Sequence, residues 1–143
     1  MHPDVVFHDR LPTLDEYRDL CTAVGWAPVI NLEAAPASLA RSLLGVVATL
    51  GGRAVGMGRV VGDGAIYHYV QDVVVHPDQQ KRGIGDAIVS RLVARIHAQA
   101  PERAFIGVFA ATGTTPFYER HGFIEHEALS GMFQVVPAAA SNG

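Results

Sequence analysis

The sequence predicts an α+β fold: a mixed, mostly antiparallel sheet with a central parallel strand pair, flanked by about four helices. Three observations carry this. Apolar, β-branched runs broken by glycine turns fill residues 43–75 and read as a three-strand meander. Ile84, Ile88, Leu92 and Ile96 then fall at i, i+4, i+8 and i+12, one face of a helix. A second apolar run at 104–110 follows, and a strand that returns after a crossover helix joins its sheet in parallel.

Each element has a local reason. Residues 5–8 suit a short edge strand that Pro12 ends. Thr13 caps a helix beginning at Leu14, with Glu16 three residues on as its capping-box partner. Leu14, Tyr17, Cys21 and Val24 share its buried face, Gly25 takes the C′ position, and Pro28 prevents continuation. A second short helix covers 36–42. The meander runs through strands at 43–50, 53–61 and 66–75, turned by Gly51-Gly52 and by Gly62-Asp63-Gly64. The crossover helix spans 83 to about 98 and feeds the strand at 104–110. A short helix carrying Tyr118 follows and ends at Gly122; residues 123–127 and 131–136 read as a terminal β pair, and 136–143 as a frayed tail. No repeat or linker divides the 143 residues, so residues 1–143 form a single domain.

Composition narrows the function. Hydrophobic residues at 49% and charged residues at 17% are those of an ordered globular protein. A net charge of −3 argues against a nucleic-acid partner, which needs clustered Lys and Arg. The single cysteine, Cys21, excludes an intrachain disulfide and reads as a small core hydrophobe. Neither a signal-peptide pattern nor an apolar run of about 20 residues is present, so the expected location is cytoplasmic, with no membrane partner. His97, His121 and His126 are too scattered for a metal site, and no metal is expected.

The chemistry concentrates in Gln80-Lys81-Arg82-Gly83-Ile84-Gly85. The apolar run Val73-Val74-Val75 ends at His76-Pro77 just before it, and the helix begins inside its glycines. The first N–H groups of a helix lack intrahelical partners and carry partial positive charge. Glycine lets backbone approach a ligand, and Lys81 and Arg82 add charge: an anion cradle for a phosphate or pyrophosphate. A nucleotide P-loop would need Gly-Lys-Ser/Thr after a glycine and four residues, and no such string occurs. A dinucleotide fingerprint would need glycine where Ile88 stands.

Gln80-x-x-Gly83-x-Gly85 does resemble the Gln/Arg-x-x-Gly-x-Gly/Ala loop of the Gcn5-related N-acetyltransferases (GNAT). Downstream, Phe117-Tyr118-Glu119-Arg120-His121-Gly122-Phe123 resembles that superfamily's Phe-Tyr-x-x-x-Gly-Phe signature, in order and at a normal distance. The chain is identified as a member over residues 43–134. The series Val24-Gly25-Trp26, Gly56-Met57, Asp72-Val73-Val74-Val75 and Gly131-Met132-Phe133 is similar to a subgroup of small acetyltransferases. That subgroup includes chloroplast-type serotonin N-acetyltransferases and their bacterial relatives.

The resemblance implies the GNAT fold, acetyl-CoA as cosubstrate and acetyl transfer to a primary amine of a small molecule or peptide. It assigns the loop, Gln80, Lys81, Arg82, Gly83, Ile84, Gly85 and Asp86, to the cofactor pyrophosphate. Val73, Val74 and Val75 would hold the pantetheine arm by backbone pairing in a gap beside the strand at 104–110. Tyr118 matches the tyrosine that protonates the departing thiolate, and would also touch the cofactor; otherwise it only anchors its helix. Asp72 is a candidate general base or an ion-paired structural carboxylate. His68, four residues earlier, is an alternative base that shares its face if the strand is regular, and otherwise a partly exposed strand residue. Trp26 either lines the amine pocket or packs in the core. Ala111 departs from the family, which often has Asn or Asp seven residues before the tyrosine; Thr112 is the nearest replacement. A non-catalytic acyl-CoA-binding or sensing module is therefore the competing reading. A homodimer is expected from the terminal strand pair and exposed sheet edges, since many relatives pair this way.

Overall fold

The computed structural model describes residues 4–139. Five strands form one sheet in sequential order: β1 (Val5–His8), β2 (Leu44–Leu50), β3 (Arg53–Gly62), β4 (Tyr67–Val75) and β5 (Phe105–Val108). The first three contacts are antiparallel, and β4 pairs β5 in parallel. Four α-helices, α1 (Leu14–Ala23), α2 (Ala35–Ala40), α3 (Ile84–Gln99) and α4 (Thr115–Glu119), flank the sheet, with short 3-10 turns at Leu32–Ala34 and Pro77–Gln79.

The β2–β3 hairpin turns at Gly51 and Gly52, with φ of 58° and 77°, the pair of left-handed residues that a tight hairpin turn needs. The crossover helix α3 lays Ile84, Ile88, Leu92 and Ile96 on one face of the sheet, against Val46, Ala48, Val60 and Val70. Its approach is close: a Cβ on Gly58 would stand 2.7 Å from Ile88 Cγ2. Helices α1 and α2 cover the opposite face, where Tyr17, Leu20, Cys21 and Leu39 pack with Met57 and Val74. Trp26 packs against this second cluster. The α1 cap is the capping box read from sequence: Thr13 Oγ1 accepts from Glu16 N, and Glu16 accepts from Thr13 N.

The terminal β pair is a correction. Past α4 the chain makes only an isolated bridge, His126 with Leu129, and residues 131–139 carry no strand. A two-stranded hairpin is marginal without a third strand or a helix to pack on, and among the described residues the outer edge of β5 takes no strand. Residues 136–139 are exposed; the rest of the expected frayed tail, 140–143, lies outside the described residues.

Candidate active site

Beta-strand β4 builds the site because it outruns its neighbour. Its parallel register with β5 begins at Tyr67↔Phe105 and ends at Val70↔Val108, while β3 stays paired as far as Val75. Residues 71–75 therefore have no β5 partner on that side.

A bulge sits in this stretch. Met57 pairs Val74 and Arg59 pairs Gln71, so Gly58 faces two residues, Asp72 and Val73. Asp72 adopts φ of 54°. Its side chain turns to the α1–α2 face, while Val73 packs against the α3 side. His68 shares the α3 side with Val70 and pairs Ile106. The shared face with Asp72 that a regular strand would have given His68 is therefore absent, and the alternative expectation of a partly exposed strand residue is corrected. His68 is 1% exposed, neither ring nitrogen has a hydrogen-bond partner among the described residues, and the bulge puts it on the opposite face.

Asp72 is held from two directions. Its Oδ2 accepts from Arg59 Nε at 2.7 Å and from the Tyr17 hydroxyl at 2.9 Å. Arg59 is mostly buried and also donates through Nη1 to the Ser38 carbonyl, Ser38 Oγ and Ser42 Oγ. Its guanidinium lies 5.6 Å from the Tyr17 ring centroid. Burial and the adjacent carboxylate push the Tyr17 phenol well above its ordinary range, so it stays protonated and donates. Burial likewise raises the Cys21 thiol, which keeps it unreactive.

The glycine loop follows β4 directly. His76 Nδ1 accepts from Asp78 N across the 3-10 turn, and Gln80 Nε2 donates to the Val75 carbonyl at 3.1 Å. Lys81 and Gly83 both take left-handed conformations, φ 66° and 81°, with Arg82 between them. Gly83 is the N-cap of α3, and no side chain caps that helix. A sixteen-residue helix thus opens on bare N–H groups beside exposed Lys81 and Arg82. These groups fit an anion. The nearest atoms that a Cβ on Gly85 would meet belong to Phe117 and Val75 at 3.5–3.6 Å, ordinary contact, so the space for a Cβ does not demand glycine there.

Asp86, in the first turn of α3, turns its carboxylate to α4: His121 Nε2 lies 2.9 Å away and Arg120 Nη2 at 3.1 Å. Burial opposes its charge, but the bonds from His121 and Arg120 outweigh it and hold the carboxyl below its usual range. The carboxylate thus ties the N-terminal end of α3 to the turn that follows the helix carrying Tyr118. Tyr118 stands edge-on to Phe117 (4.9 Å between centroids) and to Phe123 (5.8 Å). Desolvation raises its phenol above the ordinary value. The Ala111 carbonyl accepts from Thr114 N and Oγ1, closing the turn into α4, and Thr112 is exposed.

The structure therefore gathers Val73, Val74, Val75 and Gln80 through Asp86 along one path, with Tyr118 tied to its end through Asp86. Sequence reading missed Arg59, Tyr17, Arg120 and His121 as supporting residues, because each acts on a partner remote in the chain.

A mixed sheet whose parallel pair stops short of the end of β4, followed by an uncapped, glycine-started helix, is the architecture of a GNAT acetyltransferase domain. The chain belongs to that family: residues 15–132 match the Acetyltransferase (GNAT) domain. It is 30% identical over 125 residues to an uncharacterized N-acetyltransferase, ycf52, of Pyropia yezoensis, covering 84% of this chain and 70% of that one. Over 82 residues it is 37% identical to serotonin N-acetyltransferase 2, chloroplastic, of Oryza sativa subsp. japonica, covering 57% and 40%. In structure it is similar to a probable acetyltransferase, SA2161, of methicillin-resistant Staphylococcus aureus, with a TM-score of 0.84 at 27% identity over 92% of this chain and 99% of that one.

Proposed function

We propose that this chain is an acetyl-CoA-dependent N-acetyltransferase, passing an acetyl group to a primary amine by direct attack in a ternary complex. The observation that carries the reading is their order along the chain: the stretch of β4 with no β5 partner leads, through the 3-10 turn Pro77–Gln79 and the glycine loop, to the uncapped N-terminus of α3. An extended arm needs free strand edge and a pyrophosphate needs bare N–H groups, and here one follows the other.

When bound, acetyl-CoA supplies an acyl group activated as a thioester. In this reading the N–H groups of Gly83, Ile84, Gly85 and Asp86 bind its pyrophosphate, and Lys81 and Arg82 add charge. Gln80 braces the Val75 carbonyl so that the loop leaves β4 at a fixed angle. Val73 and Val75 hold the arm by backbone hydrogen bonds. Tyr118 keeps a proton on its hydroxyl, since its raised pKa leaves it neutral at working pH, and can donate it to the leaving sulfur. Asp72 acts on the acceptor through Oδ1, which takes part in neither bond to Arg59 nor to Tyr17. Its charge favours an ammonium, whose ordinary pKa of about 10.4 requires that a proton leave before attack. That proton passes to Oδ1 directly or through water.

The acceptor is a primary amine of a small molecule or peptide. We also propose a homodimer. Ile124, Leu129, Met132, Phe133 and Val135 are all exposed, and a groove of about 950 Å³ follows the outer edge of β5 beside Met132. A second copy would cover this apolar surface.

The test is a thiol-release assay with acetyl-CoA against a panel of amines, peptides and aminoglycosides, with aralkylamines included because of the rice relative. Acetyl-CoA-dependent thiol release with at least one amine is expected. Tight acetyl-CoA binding with no turnover on any member would replace the enzyme by a non-catalytic acyl-CoA-binding module.

A further inference from the structure

Among the described residues Asp72 is the only non-glycine strand residue with a left-handed φ. Such a conformation is unfavourable for a residue with a side chain unless its surroundings impose it. Here they do. Arg59 Nε at 2.7 Å and the Tyr17 hydroxyl at 2.9 Å converge on one carboxylate oxygen. Arg59 is itself fixed by three bonds to α2 and its C-terminal turn, at the Ser38 carbonyl, Ser38 Oγ and Ser42 Oγ. Helices α1 and α2, which face away from α3, thereby grip a single point on β4.

That point lies just past the end of the β4–β5 pairing. The last β4–β5 pair is Val70↔Val108, and the bulge follows at Asp72–Val73. Without the bulge, strand alternation would turn Asp72 to the α3 face of His68 and Val70, and would reverse Val73 and Val75. With it, Val73 and Val75 pack against the α3 core.

We propose that Arg59 and Tyr17 are positioning residues for the cofactor: they lock the Asp72 bulge and so set the stretch of β4 that receives the acyl-CoA arm. The inference rests on the reading of the unpaired stretch of β4 as an acetyl-CoA site. It gives Asp72 a structural task separate from any proton transfer, and it makes cofactor affinity depend on the helices of the opposite face.

Two substitutions that both delete the carboxylate separate the lock from the charge. Glycine adopts a left-handed φ freely, whereas a β-branched residue resists it. In calorimetric titration with acetyl-CoA, Asp72→Gly is expected to bind within about threefold of wild type, and Asp72→Val at least tenfold more weakly, about 1.4 kcal/mol. Arg59→Met should also weaken binding about tenfold, and Arg59→Met/Asp72→Gly should restore it, because the bulge then needs no lock. Thermal melting identifies any variant that does not fold; should Arg59→Met be one, the Gly/Val pair decides alone, and should Asp72→Val be one, the Arg59 rescue decides. Equal binding by Asp72→Gly and Asp72→Val, whether both strong or both weak, overturns the lock, as does failure of the double variant to recover. A wild-type protein that does not bind acetyl-CoA overturns the site reading instead, a distinguishable failure.

Discussion

Tyr118 carries the sharpest prediction at the scale of single residues. Its phenol is desolvated between Phe117 and Phe123, so its pKa lies above the ordinary value of about 10. An acid of this kind stays protonated through neutral pH and loses its proton only on the alkaline side. Tyr118→Phe should therefore lower kcat about a hundredfold while leaving acetyl-CoA affinity nearly unchanged, which steady-state kinetics and calorimetry would read separately. Unchanged kcat would assign the protonation to water or to another group. Asp72→Asn keeps the shape of the side chain, an acceptor for Arg59 and tolerance of a left-handed φ, but loses the charge. Its kcat/KM for amine should fall. An unchanged kcat/KM in this variant would remove Asp72 from proton transfer. Tyr118 was legible because its spacing from Gly122-Phe123 is local. The triangle of Tyr17, Arg59 and Asp72 was not, since its members stand 55 and 13 residues apart and meet only across the folded sheet.

Among the elements, α1 shows how far local rules reach. Thr13, Glu16 and the heptad-like spacing of Tyr17 and Cys21 fix its start and its buried face, and the structure has the reciprocal cap that this pattern calls for. Thr13→Ala should lower stability by about 1 kcal/mol in denaturant melts, with no change in m-value. The cap also has a pH signature. The hydrogen bond from Arg10, against some burial cost and with help from Thr13, holds the Glu16 pKa below its ordinary value. A carboxylate depressed in the folded state stabilises above its unfolded pKa, about 4.3, and that stabilisation fades as pH falls through the folded value. The Tm difference between wild type and Glu16→Gln should therefore be present at neutral pH and close in acid; a constant difference would mean the charge contributes nothing. Strand β4 marks the limit of such rules. Its residues include no glycine to announce a bulge, and only the register against Gly58, together with Arg59, shows that Asp72 turns the strand. The terminal segments failed for a related reason: alternation in 123–136 supplies strand-forming residues, but a strand also needs an edge to pair with.

For the whole molecule, the layering explains why so much was readable. A stripe of four residues on α3 and the apolar faces of β2, β3 and β4 specify one core, and the crossover rule specifies the parallel pair. What that core leaves uncovered is the side beyond β5, where Phe105 and Phe109 are also exposed. Light scattering coupled to size exclusion should give twice the 15.3 kDa chain mass at micromolar concentration, and Phe133→Asp should shift it toward the monomer. A monomer for the wild type at all concentrations would contradict the homodimer. The central claim is that the path from β4 into α3 holds an acyl-CoA. Gly85 tests it most directly, because a Cβ there meets its nearest protein atoms only at ordinary contact distance, while the backbone it stands on would face the bound pyrophosphate. Calorimetric titration of acetyl-CoA into wild type and Gly85→Leu is predicted to show saturable binding in the first and loss of at least a hundredfold in affinity in the second, with both folded by circular dichroism. Equal affinity in the two proteins would contradict the account.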